Sequence, residues 1–88
     1  MTDMRTGKTF FGKNVLITGG LGFIGSNLAI RLVEAGANIT LLDAMIPGHG
    51  GNIFNIEPIK NDVRVNFSDI RDENSINYIV RDKEYIFH

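Results

Sequence analysis

Apolar residues along the chain switch between two spacings, and the switches predict an alternation of strands and helices. Val15-Leu16-Ile17-Thr18 is a short apolar and β-branched run, bounded by Lys13-Asn14 and by glycines. It reads as a parallel strand buried on both faces. From Phe23 to Ala35 the spacing becomes helical. Ile24, Leu28 and Leu32 recur every four residues with Ala29 and Val33 beside them, and Asn27, Arg31 and Glu34 take the outer face. Gly36 stands where a left-handed C-cap is expected. Ile39 to Leu42 predicts a second buried strand, closed by Asp43. Residues 44–51 (AMIPGHGG) are predicted loop, and 52–59 a short helix stopping near Pro58. Val63, Val65 and Phe67 alternate with Arg64 and Asn66, the pattern of a half-exposed edge strand. Asp72 can cap a helix through Ile76, Ile79 and Val80, and Tyr85-Ile86-Phe87 predicts a fourth strand.

Strands that alternate with helices imply an α/β unit, with a parallel sheet and right-handed crossovers. The expected spatial order is 3-2-1-4, with flanking helices and residues 63–67 at an edge. Residues 1–12 read as a polar, unpatterned lead-in, and residues 13–88 as a single but incomplete domain.

Composition narrows the partners. Nine basic and ten acidic side chains give a net charge of −1, which offers no electrostatic footprint for nucleic acid or an anionic membrane. The absence of cysteine excludes disulfides and thiolate zinc sites. No apolar run approaches a membrane span, and the opening MTDMRTGKTFFGK lacks the apolar core of a signal peptide. A cytoplasmic protein that meets small molecules or other protein surfaces is therefore expected. The triplets Asn38-Ile39-Thr40 and Asn66-Phe67-Ser68 match a glycosylation pattern by chance, since both lie in predicted strands.

The chemistry is carried by Thr18-Gly19-Gly20-Leu21-Gly22-Phe23-Ile24-Gly25, between the first strand and the first helix. Gly19 suits a tight turn off the strand, Gly22 a close backbone approach to a pyrophosphate, and Gly25 close packing of the helix. The first-turn amides, those of Phe23 and Ile24 included, would then point at phosphate oxygens, aided by the helix dipole. The plainer reading is a flexible glycine turn. The preceding strand, the following helix and an acid at the expected distance all argue against it. That acid is Asp43, eighteen residues beyond Gly25, where a carboxylate can accept the adenosine ribose hydroxyls. Its plainer reading is a turn-capping aspartate. A 2′-phosphate beside Asp43 would meet like charge, worth roughly 4 kcal/mol per unit charge at an effective dielectric near 20 before solvent reduces it. No Arg or Lys between Asp43 and Lys60 offsets it, so the expected cofactor is NAD and not NADP. A P-loop is excluded, because Ser26-Asn27 stands where Lys-Ser/Thr is needed. The fold class expected is thus part of a Rossmann fold.

The stretch TGGLGFIGSNLAIRLVEAGANITLLD resembles the opening of the extended short-chain dehydrogenases/reductases, whose fingerprint is TGxxGFIG. Asp69-Ile70-Arg71-Asp72 is similar to that family's DIRD or DLRD loop, and Glu84-Tyr85-Ile86-Phe87-His88 to the strand that there reads VFHLAA. The resemblance covers roughly residues 13–88, and the loop PGHGGN with FNIEPI is most similar to nucleotide-sugar 4-epimerases and their dehydratase relatives. It implies that Asp69 bonds the adenine amino group, that the Ile70 backbone meets the ring edge and that His88 packs under the cofactor. It also implies a nucleotide-sugar substrate and NAD as a transient hydride store. Ala44 departs from the family pattern, which often has Asn there.

No catalytic residue is assigned. The family's Tyr-x-x-x-Lys pair has no match, since Asp82 follows Tyr78 at that spacing and Tyr85 lies too near the last residue. Both tyrosines are expected to pack, in the core or on the surface, and His49 either to touch the adenosine or, the plainer reading, to face water. The function expected is the NAD-binding portion of a nucleotide-sugar epimerase of the UDP-glucose 4-epimerase kind. Alternatives are a 4,6-dehydratase or decarboxylase of the same family, or a non-catalytic NAD-binding module. An S-adenosylmethionine methyltransferase is a more distant rival, against which TGxxGFIG argues. A fourth strand without a further neighbour predicts self-association or a homo-oligomer.

Overall fold

The computed structural model describes residues 9–44, 52–68 and 72–88. In chain order the elements are β1 (Asn14–Thr18), α1 (Phe23–Glu34), β2 (Asn38–Leu42), a 3-10 helix (Ile53–Ile59), β3 (Val63–Asn66), α2 (Glu73–Val80) and β4 (Tyr85–Phe87). The strands form one sheet in the order β3-β2-β1-β4. All three pairings are parallel, with Val15 opposite Ile39 and Tyr85, and Ile39 opposite Val63. The expected topology is therefore the observed one: an α/β Rossmann half.

Alternation along the strands divides the apolar residues between two faces. Val15, Ile17, Ile39 and Leu41 point to one side, where Leu21, Ala29 and Leu32 meet them together with Ile56 and Ile59 of the 3-10 helix. Leu16 and Leu42 point to the other, where α2 contributes Ile79, with Ile76 and Val80 packed alongside. Because its residues serve both faces, β1 is apolar without a break: Val15, Leu16 and Ile17 are all buried. The Phe10 ring joins the first face, edge-on to Tyr85 at 4.9 Å between centroids and tilted against Phe87 at 6.1 Å.

The ends of the elements follow local chemistry. Gly36 takes a left-handed φ of 85° after α1, as the C-cap reading requires. The Asp72 carboxylate accepts from the amides of Asn74 and Ser75 at 3.2 and 3.3 Å, capping α2. The Asn52 side chain accepts from the Phe54 amide at 2.9 Å and so starts the 3-10 helix. Pro58 is accommodated inside that element.

One expectation about α1 changes. Its inward stripe is Ser26, Ala29 and Leu32, whereas Ile24 is 82 % exposed and Leu28 only half-buried. The reason is steric: a Cβ on Gly25 would stand 2.5 Å from the Gly19 carbonyl oxygen, so the helix leans on its smallest residues. Phe23 and Ile24 are turned aside, while Leu28, Ile30 and Val33 pack at the margin of the core around the buried Leu32.

Candidate functional site

The carboxyl ends of β1 and β2 converge on the glycine turn. Gly19, at φ 67°, turns the chain off β1, a conformation in which a side chain would be strained. Its amide donates to the Leu42 carbonyl at 2.7 Å, tying the start of the turn to β2. The Gly22 amide closes the turn on the Gly19 carbonyl at 3.1 Å, and Ser26 makes the first helical bond, to the Gly22 carbonyl at 2.9 Å. Gly22 is the N-cap of α1 with extended backbone (φ −74°, ψ 170°), and no side chain caps the helix. Helix geometry leaves the amides before Ser26 without an intrahelical acceptor. They sit at the end where Phe23 and Ile24 are largely exposed, so the turn presents donors and partial positive charge at an open edge.

The three predicted glycines differ in what crowds them. Gly25 is pressed against the Gly19–Gly20 backbone. A Cβ on Gly22 would meet only the Gly19 carbonyl oxygen, at 3.3 Å, so Gly22 keeps the outer side of the turn bare. Gly20, a motif glycine given no role of its own from the sequence, has no room for a side chain, since its Cβ would come within 2.7 Å of Leu41.

Asp43 follows β2 directly and is half-buried, its own amide donating to the Asn66 carbonyl at 3.0 Å. Its Oδ2 accepts from the Leu21 amide at 3.0 Å. The structure thus brings Gly19, Gly22, Phe23, Ile24, Gly25 and Asp43 together at the carboxyl end of the sheet's two inner strands. Asp69 and Ile70 lie outside the described residues, as does His49. Beside the site, the Thr18 hydroxyl lies 2.9 Å from His88 Nδ1, linking the ends of β1 and β4. Tyr78 is exposed on α2 with the Arg81 guanidinium 5.9 Å from its ring centroid, and Tyr85 packs on Phe10. Among the described residues, no group of three or more His, Cys, Asp or Glu is arranged to hold a metal ion, and no helix is long and apolar enough to cross a membrane.

Sequence reasoning missed the residues behind the turn. The Leu21 carbonyl accepts from the Asn52 amide at 3.0 Å and from Asn55 Nδ2 at 2.7 Å. Asn52 was findable as a cap ahead of an apolar run. Asn55 carries no local signal, because its partner is 34 residues away.

The family model for GDP-mannose 4,6-dehydratase matches residues 16–88. The chain belongs to that family, within the short-chain dehydrogenases/reductases. Among family members, it is 36 % identical over 76 residues to a UDP-N-acetyl-α-D-glucosaminuronate decarboxylase of Bacillus cytotoxicus, covering 86 % of this chain and 23 % of the decarboxylase. Among solved structures, an epimerase from Methanothermobacter thermautotrophicus superposes with a TM-score of 0.83 at 34 % identity, over 97 % of this chain and 24 % of the epimerase. The Bordetella bronchiseptica enzyme WbmF, solved in complex with NAD+, gives a TM-score of 0.77 at 30 % identity, over 91 % of this chain and 23 % of that enzyme. The family member described here thus spans about a quarter of the length of these relatives.

Proposed function

We propose that this chain binds NAD as the cofactor-binding part of a nucleotide-sugar epimerase. The observation that carries the reading is the turn between β1 and α1. Its bare Gly22, its uncapped amides and the Asp43 carboxylate lie at one open edge, a cradle that a Cβ on Gly22 would fill. The pyrophosphate would lie over Gly22 and accept hydrogen bonds from the first-turn amides of α1, including those of Phe23 and Ile24. Gly19 and Gly25 shape the turn. Asp43 would accept the adenosine ribose hydroxyls, with Asp69 and Ile70 meeting the adenine as the family resemblance implies. When bound, NAD supplies reversible hydride acceptance; this chain's residues bind and orient it, and none is assigned proton chemistry.

The epimerase reading draws support from the M. thermautotrophicus epimerase and from the PGHGGN and FNIEPI segments. A nucleotide-sugar decarboxylase is the second reading, favoured by the B. cytotoxicus relative. The sugar-nucleotide substrate is part of the proposal in both.

Asp43→Asn tests the cofactor assignment without disturbing the turn, because the amide oxygen can still accept from Leu21 N–H. Loss of the charge-assisted bonds should weaken NAD by about 1.5–3 kcal/mol and narrow the preference over NADP. Calorimetry with both dinucleotides checks this. A variant that discriminates as the parent does would mean that another group holds the ribose.

A further inference from the structure

We propose that Asn55 is a positioning residue for the dinucleotide phosphates, acting through the Leu21 peptide; the inference rests on the function proposed above. Three hydrogen bonds from outside the turn converge on Leu21: its N–H donates to Asp43 Oδ2, and its carbonyl accepts from the Asn52 amide and from Asn55 Nδ2. Two donors saturate a carbonyl oxygen. The Gly22 N–H is also used, on the Gly19 carbonyl. The backbone groups of Leu21 and the amide of Gly22 are therefore all turned inward, which fixes the peptide planes ahead of the α1 amides. At 2.7 Å the Asn55 bond is the shorter of the two to that carbonyl, and it is the one a side chain supplies.

Packing makes Asn55 a rigid strut. It is half-buried, its amide donates to the Asn52 carbonyl at 3.0 Å, and its neighbour Ile56 is 1 % exposed in the core shared with Leu21. Leu21 itself is fully buried, so the turn is clamped by side chain and by backbone alike. Asp43 and Asn55 hold opposite sides of the same residue, but only Asp43 also faces the ribose in the proposed complex. Asn55 should therefore affect phosphate binding and leave the adenosine end alone.

The test compares NAD with adenosine, which lacks phosphates, on the intact protein by calorimetry and NMR titration. Asn55→Asp keeps the shape but places an acceptor against the Leu21 carbonyl; Asn55→Leu removes the donor. Each should weaken NAD about tenfold or more, leave adenosine unchanged, and unfold with the cooperativity of the parent. Equal weakening of both ligands would make Asn55 a general support of the fold and overturn the proposal, as would unchanged NAD affinity in both variants. Failure of the parent itself to bind NAD would instead overturn the proposed function and this inference with it. If Asn55→Leu does not fold, Asn55→Asp alone decides, since it preserves side-chain volume.

Discussion

On one face of the sheet, α1 and the 3-10 helix bury a contiguous cluster that runs from Val15 and Ile17 through Leu21 and Leu32 to Ile59; on the other, among the described residues, Ile79 of α2 forms a smaller cluster with Leu16 and Leu42. The glycine turn belongs to the deep face, because Leu21 is one of its buried members. The proposed phosphate site is built from backbone amides and so depends on fixed peptide planes, and those planes are anchored in the better-packed half of the molecule. The shallow face has a different character. Ile86 on β4 is 51 % exposed beside the buried Leu16, and Tyr78 stands out from α2.

The largest effect that separates the faces is in the core. Leu32→Ala should cost about 3–5 kcal/mol, since the cavity would be walled by sheet, helix and 3-10 helix together. Ile79→Ala should cost only about 2 kcal/mol, because a thinly covered site collapses more easily. Denaturant unfolding of the two variants measures the contrast. Equal losses would show that the faces are equally well packed.

A smaller effect is expected at β4, where no described strand pairs beyond the β1 partner. Exposed Ile86 and the half-open Tyr85 should drive self-association of the 88-residue chain, and Ile86→Lys should weaken it with less than about 1 kcal/mol change in stability. Sedimentation of both proteins reads this out. A parent that stays monomeric at tens of micromolar would remove the claim.

The contrast also explains what was legible in the sequence. Strand identities and order followed from local periods and turn residues: the unbroken run of β1, the alternation of β3, and the caps at Gly36 and Asp72 each depend on near neighbours. The glycine turn was legible because its constraints are backbone ones, which the residue type itself reports. The face of α1 was misjudged at Ile24, since periodicity ranks residues by apolarity while the observed packing is decided by how close the backbones come at Gly25. The Leu21 clamp was invisible for another reason. Its donors come from Asp43, Asn52 and Asn55, brought to one peptide only by the fold.

The most direct measurement is NAD binding by calorimetry to the parent and to Gly22→Val. The φ of −74° and ψ of 170° at Gly22 are open to a valine, and its Cβ would make one close contact, 3.3 Å from the Gly19 carbonyl oxygen, which a shift of a few tenths of an ångström relieves. The turn should therefore fold, with its outer side filled where the pyrophosphate would lie. The expected result is native-like circular dichroism with NAD affinity reduced about a hundredfold or more. A folded Gly22→Val variant that binds NAD as tightly as the parent would contradict the account.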